Sequence, residues 1–253
     1  MIKFENTEVY GWDAAIRGMR NPMNSWDKSD SHSNYEFVFS NDMGASFAYC
    51  EKDLVELISN GILEKHEMYI ADNFIIGKND LNLMKNLVRA GTDHSKFMRM
   101  INVTVDITAP RYWWTEFDTY KVGTVRNSCS TMHKIHAKEF TLDDFSHEHL
   151  IPETIEDEIC RVSPLYALES HIELLNYYRK RFIETKDKKW WWQMIQLLPQ
   201  SYNQIATVQL NYAVLRSIYH SDRKHHKLDE WRTGFMEWIE SLPYSELITG
   251  DFF

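Results

Sequence analysis

A run of polar and cationic side chains between residues 119 and 131 is the stretch best suited to binding a ligand. It reads Thr-Tyr-Lys-Val-Gly-Thr-Val-Arg-Asn-Ser-Cys-Ser-Thr and follows the adjacent aromatic residues Tyr112, Trp113 and Trp114. Hydroxyls and amides form hydrogen bonds with polar ligand groups, and cations pair with phosphate. This mixture favours a phosphorylated, heteroaromatic ligand, and the segment 109–133 is predicted to line its site.

A second concentration of positive charge begins at Arg216 and includes Arg223 and the run Lys224-His-His-Lys227. It stands out because the chain has a formal net charge of −9. The guanidinium of arginine suits paired hydrogen bonds to a phosphate or to a pyrimidine edge. The alternative for Arg223 is a solvated helix end, where a cation faces the C-terminal helix dipole. The sequence leaves both interpretations open.

Histidine and cysteine give weaker indications of chemistry. His133, His136, His147 and His149 have spacings at which imidazoles can converge on a metal ion, but no cysteine or clear carboxylate partner completes the set, which favours surface histidines. Cys129 lies among hydroxyls, but the strand-elbow motif of hydrolases is absent, which favours a buried or neutral thiol. The 9 glycines form no phosphate-binding motif.

Length and composition bound the class of protein. The 253 residues are 43% hydrophobic and 14% aromatic, which is ample for a buried core. The net charge argues against a nucleic acid as the main partner. The 3 cysteines lack metal-ligand spacing and favour a reducing compartment. Because no apolar run approaches membrane-spanning length, we expect a cytoplasmic protein without a membrane partner.

A strand is predicted directly before the polar run. In residues 100–108, Val103, Val105 and Ile107 alternate with polar residues, a two-residue period that is typical of a strand with one buried face, and Pro110 ends it. Helices are predicted at residues 13–20, with Asp13 as the cap, at 53–59, and at 80–90, with Asp80 as the cap.

The C-terminal half is predicted to be helical. Apolar residues recur at helical spacing in four stretches, from Leu168 to Phe182, from Trp190 to Leu198, from Val208 to Tyr219 and from Trp231 to Leu242. The sequence therefore predicts an α+β fold in a single domain over residues 1–253, with a central antiparallel or mixed sheet flanked by helices. Residues 137–165 are predicted to be an insertion.

The order of these pieces resembles that of the flavin-dependent thymidylate synthases. The shared pieces are a His94-Ser95 turn before Phe97, a strand ending in Ala-Pro, the aromatic and polar segment, a Leu-Pro-x-Ser turn at residue 198, and Arg223-x-x-His-x-x-x-Glu-Trp231. The resemblance covers about residues 75–240.

The family signature, Arg-His-Arg-x-x-Ser-x-Asn-Glu-x-Ser-x-Arg, is substituted at most positions here. Without a gap, its Arg-His-Arg falls on Thr119-Tyr120-Lys121 and its first serine on Thr124. With one residue inserted, Asn-Glu falls on Asn127-Ser128 and the later serine on Ser130. No glutamate is kept, and Arg126 supplies a cation at another position.

The resemblance implies a set of binding residues. FAD is expected to contact seven of them: His94, Ser95, Arg99, Thr119, Tyr120, Lys121 and Thr124. A nucleotide similar to dUMP is expected to contact five: Arg126, Asn127, Ser128, Ser130 and Arg223. No catalytic side chain and no metal ligand are expected.

The resemblance also implies the reaction. In the family, FAD reduced by NADPH supplies a hydride, methylenetetrahydrofolate supplies the one-carbon unit, and C5 of dUMP receives it to give dTMP, without a protein nucleophile. The family's sites lie where subunits meet, which implies a homodimer or homotetramer. The substituted signature keeps two alternatives open, which are modification of a different pyrimidine nucleotide and a catalytically silent homologue that binds a nucleotide or a partner protein.

Overall fold

The computed structural model describes residues 2–40, 46–49, 69–154 and 162–250. The predicted helix at 53–59 lies outside these residues. In chain order, the elements are β1 (Lys3–Tyr10), α1 (Trp12–Arg20), β2 (His32–Ser40), β3 (Ser46–Tyr49), β4 (Tyr69–Ile75), α2 (Lys78–Arg89), β5 (Asn102–Pro110), α3 (Arg111–Phe117), β6 (Val125–Ser128), α4 (Thr131–Lys134), α5 (Pro164–Thr185), α6 (Lys188–Leu197), β7 (Asn203–Asn211), α7 (Tyr212–Tyr219), α8 (Met236–Glu240) and α9 (Glu246–Thr249). Short 3-10 helices are Asn21–Met23, Trp26–Lys28, Lys96–Arg99, Leu142–Asp144 and Asp222–His225, and Glu230–Phe235 is a π-helix.

These elements form two compact units. The first unit combines β1 with Asn102–Gly250, and the second holds Gly11–Ile101. Strands and helices are both abundant, and the helices dominate the C-terminal half, so the predicted α+β fold is confirmed. The single domain over residues 1–253 and the insertion at 137–165 stay predictions.

The first unit is built on a four-stranded antiparallel sheet in the order β1-β5-β7-β6. Strand β5 is central and pairs with β1 on one side and with β7 on the other. The predicted alternation in β5 is confirmed, because Val103, Val105 and Ile107 are fully buried while the polar residues between them reach solvent. The sheet therefore has one face in the core.

The prediction of a helix through Val208 is wrong, because this residue lies in β7 and α7 begins only at Tyr212. Val208 pairs with Val105 of β5, and it is buried between exposed neighbours as the two-residue period of a strand requires. Its spacing to the apolar residues of α7 is the same as that of residues on one face of a helix. The partner strand lies far away in the sequence, so the local pattern carries no sign of the pairing.

Helix α3 directs the aromatic side chains of this segment into the hydrophobic core. Trp113, Trp114 and Phe117 are almost completely buried, and the Trp113 ring lies 4.8 Å from Trp231 and 5.7 Å from Phe235 between centroids. The prediction that the segment 109–133 lines a ligand is therefore wrong for these three aromatic side chains. Large apolar rings stabilise a protein most when they are removed from water, and here they attach α3 to the π-helix.

Helices α5 and α6 pack against each other over a second apolar cluster, and both confirm predicted helices. Its buried members are Ile135, Phe140, Phe145, Ile172, Leu175, Met194 and Leu198. The described part of 137–165 thus contributes to a core through two phenylalanines. No helix among the described residues is both long and apolar enough to cross a membrane.

The second unit contains the three-stranded antiparallel sheet β3-β2-β4 together with α1 and α2. The prediction that Asp80 caps α2 is wrong, because Asp80 is buried and accepts a 2.6 Å hydrogen bond from Nε of Arg20. The carboxylate of Asp30 instead accepts from the backbone N–H groups of Asn79 and Asp80, at 2.9 and 3.1 Å. A buried guanidinium requires a counter-charge, and Asp80 supplies it.

Candidate active site

Two residues that the sequence predicts as ligand contacts, Tyr120 and Arg223, lie together in the first unit. Nε of Arg223 donates to the Tyr120 hydroxyl at 2.8 Å. Nη1 donates to Oε2 of Glu116 at 3.1 Å. Tyr120 and Arg223 come from opposite ends of the sequence half that forms this unit, so the fold and not local structure brings them together.

Two elements that end close to each other position these side chains. Helix α3 carries Glu116, and one further turn, closed by a 3.0 Å bond from the backbone N–H of Tyr120 to the Phe117 carbonyl, presents Tyr120. Helix α7 ends at Tyr219, and the 3-10 helix Asp222–His225 follows with Arg223. The buried face of α3 fixes the side that Glu116 and Tyr120 occupy.

The Arg223 side chain is only 16% exposed. Its guanidinium carbon lies 4.7 Å from the ring centroid of Trp231, in the π-helix, and 5.4 Å from that of Tyr120. Burial by itself lowers the pKa of Arg223, but the hydrogen bonds to Tyr120 and Glu116 outweigh it and raise the pKa above the usual value. The solvated helix end is therefore the wrong alternative for Arg223, since its charge is held in place by three side chains.

A cavity of about 560 Å³ opens beside this arginine. Its lining residues are Tyr120, Ser221, Arg223, His225, His226 and Lys227. One ring nitrogen of His226 is already used, since Nδ1 accepts from the backbone N–H of Leu228 at 3.1 Å. Arginine, lysine and two imidazoles in one cavity favour an anionic ligand, and we refer to this cavity as the Arg223 cavity.

The loop from Thr119 to Thr124 connects Tyr120 to β6. The Thr119 hydroxyl donates to the Glu116 carbonyl at 2.7 Å, and Lys121 is exposed. Gly123 has a φ of 78°, which glycine adopts without strain, and a Cβ there would lie 3.0 Å from Cγ2 of Val214. The loop therefore lies against the first turn of α7, and its glycine permits that approach.

Arg126, a predicted nucleotide contact, is engaged by the protein. Nη1 donates to both carboxylate oxygens of Asp118 at 2.8 and 2.9 Å, and Nη2 donates to Gln204 at 2.9 Å. Its guanidinium lies over the Trp114 ring at 3.9 Å. These contacts fasten β6 to the end of α3, and the predicted contact between Arg126 and a nucleotide stays a prediction.

Asn127, Ser128 and Ser130 are exposed along and just after β6 and do not line the Arg223 cavity. Asn127 and Ser128 pair with β7, and the Ser130 hydroxyl accepts from the backbone N–H of His133 at 3.0 Å as the cap of α4. Ser130 also lines a second cavity of about 310 Å³. Of the predicted nucleotide contacts, Arg223 thus lines one cavity and Ser130 the other, while Arg126, Asn127 and Ser128 line neither.

The second cavity contains the thiol of Cys129 together with Lys134 and Lys138. Cys129 is exposed, so of the predicted buried or neutral thiol the buried alternative is wrong. Oδ1 of Asn203, another lining residue, is buried and has no hydrogen-bond partner among the residues that the structure describes. The cavity also contains Asp144, which pairs with Lys138, so it combines charges of both signs with an acceptor that can bind an N–H group.

His94, Ser95 and Arg99 belong to the second unit. Gly91, with a φ of 103°, ends α2 and accepts hydrogen bonds at 3.1 Å from the backbone N–H groups of His94 and Ser95. Phe97 and Met98 are buried and anchor the turn, while His94 and Arg99 are exposed. Their side chains are accessible to a ligand, and their predicted contacts with FAD stay predictions.

Sequence reasoning missed two acidic groups, Glu116 and the buried Glu230. Glu230 is 6% exposed, and it accepts hydrogen bonds from the hydroxyls of Tyr112 and Ser146. Burial, together with the bond to Glu230, raises the pKa of Tyr112 to about 12. Tyr112 and Glu230 are far apart in the sequence, so no local pattern indicates their contact. Glu116 is half-buried on α3, and its sequence neighbours do not distinguish it from an ordinary solvated residue.

No protein-family model and no curated protein sequence matches the chain. Solved structures, in contrast, do match the chain. Thymidylate synthase X (ThyX) from Helicobacter pylori, solved with FAD and dUMP, has a TM-score of 0.57 at 12% identity, with 99% of this chain and 96% of that chain covered. The chain has the fold of the flavin-dependent thymidylate synthases. The resemblance predicted from the sequence is thereby confirmed for the fold.

The chain is also similar in fold to a second enzyme. The UMP/dUMP methylase PolB from Streptomyces cacaoi, bound with 5-Br dUMP, has a TM-score of 0.55 at 12% identity and covers 98% of this chain and 95% of its own. Both likenesses cover almost the whole chain.

Proposed function

We propose that this protein is a ThyX-like nucleotide methylase that binds a pyrimidine nucleoside monophosphate in the Arg223 cavity and, with FAD bound, methylates C5 of the base. The observation that carries the proposal is the partly buried, charged Arg223 at the side of a cavity lined by Lys227 and two histidines, on a fold shared with enzymes solved with dUMP or 5-Br dUMP. The substrate dUMP and the product dTMP are part of the proposal.

The cavity offers distinct groups for the two ends of a nucleotide. Nη2 of Arg223 has no partner among the described residues, so it can donate to a carbonyl oxygen of the base. Lys227 and His225 can pair with the phosphate. Because Arg223 is largely removed from water, its hydrogen bond to a ligand is stronger than that of an exposed arginine.

The residues of the Thr119 to Thr124 loop fit the flavin that the fold implies. The hydroxyl oxygen of Thr124 is buried and has no hydrogen-bond partner in the described part of the chain, so a bound polar group can satisfy it. Lys121 is exposed on the same loop and can pair with a phosphate of FAD. His94, Ser95 and Arg99 are the proposed flavin contacts from the second unit.

Bound FAD supplies the hydride for the reaction. The chain binds and orients the nucleotide, holds a positive charge at Arg223, and keeps water from the base with the ring of Tyr120 that lines the cavity. The proposal includes NADPH and methylenetetrahydrofolate as co-substrates, a homodimer or homotetramer, and a cytoplasmic location. It requires no nucleophile from the protein.

Purification of the protein tests the proposal directly. We expect a yellow protein that releases FAD on denaturation and that, with NADPH and methylenetetrahydrofolate, converts dUMP to dTMP. The product is identified by mass spectrometry. A colourless protein that takes up no added FAD would contradict the enzyme and would leave a silent nucleotide-binding homologue.

A second candidate is the methylation of a different pyrimidine nucleotide. It is favoured by the likeness to a UMP/dUMP methylase and by the substitution of the signature arginines with Thr119 and Lys121. Parallel assays with dUMP and UMP distinguish the candidates, as does rescue of a thymidine-requiring bacterium. Rescue requires dTMP synthesis, whereas methylation of UMP alone fails to rescue.

A further inference from the structure

We infer that Glu116 and Tyr120 are positioning residues that hold Arg223 in its binding orientation. The inference rests on the proposed function, since the nucleotide is the ligand that Arg223 binds. It assigns Tyr120 to the arginine, whereas the family resemblance assigns this position to the flavin. Glu116 has no counterpart in the predicted site.

Three contacts from different directions fix the guanidinium of Arg223. In its plane, Nε donates to Tyr120 at 2.8 Å and Nη1 to Glu116 at 3.1 Å. On its face, the Trp231 ring lies 4.7 Å away. Two in-plane bonds set the rotation of a planar group and the ring sets its tilt, so a single orientation is favoured over the many rotamers of a free arginine.

The hydroxyl of Tyr120 is committed to this contact. It accepts from Nε of Arg223, and its ring stands tilted at 56° to Trp231 with 6.1 Å between centroids. The ring therefore forms a wall of the cavity while the hydroxyl faces the arginine.

The contacts with Tyr120 and Glu116 also determine which nitrogen of Arg223 is left to bind a ligand. With Nε and Nη1 directed at Tyr120 and Glu116, the Nη2 edge remains for the nucleotide. Glu116 is 46% exposed, so solvent weakens its pairing with Arg223 and leaves the guanidinium attractive to an acceptor. A mobile arginine would lose more side-chain entropy when it binds a ligand. Tyr120 and Glu116 already restrict Arg223 before binding, so less entropy is lost at that step.

Nucleotide binding by FAD-loaded protein tests the assignment, with the dissociation constant of dUMP and the bound FAD per chain measured separately. We expect Tyr120→Phe and Glu116→Gln each to weaken dUMP binding by about tenfold, as for the loss of a hydrogen bond to a charged group. We expect the FAD content to stay unchanged. Tyr177→Phe and Glu169→Gln, on the exposed face of α5, are matched controls that should bind dUMP like the wild type.

Combination with Arg223→Ala separates positioning from a direct contact. If Tyr120 acts through Arg223, then Tyr120→Phe should weaken dUMP binding no further once Arg223 is alanine, because coupled residues are not additive. An equal loss in both backgrounds, or a loss of FAD from Tyr120→Phe, would overturn the assignment. Wild-type protein that binds no dUMP would instead refute the proposed function, so the two failures are distinguishable.

Discussion

The charge of Arg223 loses much of its hydration in the folded protein. Contacts with neighbouring side chains compensate for this desolvation cost. The 16% exposure of the side chain shows how far the desolvation goes. The hydroxyl, the carboxylate and the indole ring around it stabilise the charge without satisfying Nη2. Such a group is suited to an acceptor brought by a ligand.

Replacement of Arg223 by alanine should weaken binding of dUMP by about 1.5 to 3 kcal/mol, the range for a hydrogen bond to a charged group. Isothermal titration calorimetry measures the change, and circular dichroism should show an intact fold. Arg232→Ala removes an exposed arginine of the π-helix and is the matched control. An unchanged affinity for Arg223→Ala would mean that the nucleotide binds elsewhere.

Tyr112 should make the free energy of unfolding depend on pH. Its pKa is about 12 in the folded protein against 10.0 as the reference value, so the folded state holds the proton more tightly. The resulting stabilisation is fully present below pH 10.0 and is lost as the pH rises through about 12. Tyr112→Phe should cost about 1 to 3 kcal/mol at pH 8, because Glu230 loses a donor.

Urea unfolding of wild type and Tyr112→Phe across this pH range measures the effect. The difference between the two proteins should shrink as the pH rises, whereas Tyr177→Phe should match the wild type throughout. A constant difference would show that deprotonation of Tyr112 is unrelated to the stability of the fold.

Helix α2 shows how an element depends on residues outside it. Asp80 in its first turn pairs with Arg20 at the end of α1, and both side chains are at most 5% exposed. Burial by itself raises the pKa of Asp80, but hydrogen bonds from Ser31, Ser29 and Arg20 lower it overall. The carboxylate is therefore charged at neutral pH and balances the guanidinium.

Replacement of Asp80 by asparagine should lower the free energy of unfolding by about 3 to 5 kcal/mol, because it leaves a buried guanidinium without its counter-charge. Thermal and urea unfolding measure the loss. Asp93→Asn, in the exposed turn after α2, should change stability by less than about 0.5 kcal/mol. A similar small effect for Asp80→Asn would show that Arg20 finds other partners.

Elements were predictable from the sequence where their stabilising contacts are local. The two-residue alternation around Val105 identified β5, and the helical spacing of Leu168 and Leu175 identified α5. The strand around Val208 was not recognised, because its partner in β5 is remote in the sequence. The same reason applies to the site. Arg223 could be selected by its charge, whereas its contact with Glu116 exists only after folding.

The net charge of the whole molecule affects which partners it can bind. The chain has 28 cationic and 37 acidic side chains, and the Arg223 cavity is a local exception within an acidic protein. A mononucleotide has to approach only that cavity. A nucleic acid strand would also meet the acidic remainder, which repels it.

Fluorescence anisotropy with labelled single-stranded DNA at about 0.15 M salt should therefore detect no binding under conditions where dUMP binds, because screening still leaves short-range repulsion at this ionic strength. Titration of free dUMP into the same protein sample is the control for an active site. DNA binding that weakens steeply with salt would contradict this expectation and would indicate a basic surface suited to phosphates.

The π-helix Glu230–Phe235 has a consequence for how the site can be gained or lost in evolution. A π-turn contains one residue more than the α-helical turn it replaces. Deletion of a single codon within it would restore α-helical geometry and rotate Trp231 by about 100° relative to α8. Trp231 would then leave the face of Arg223 although no side chain of the site had been substituted. Insertions and deletions in this turn are therefore as informative about binding in related chains as substitutions of the arginine itself.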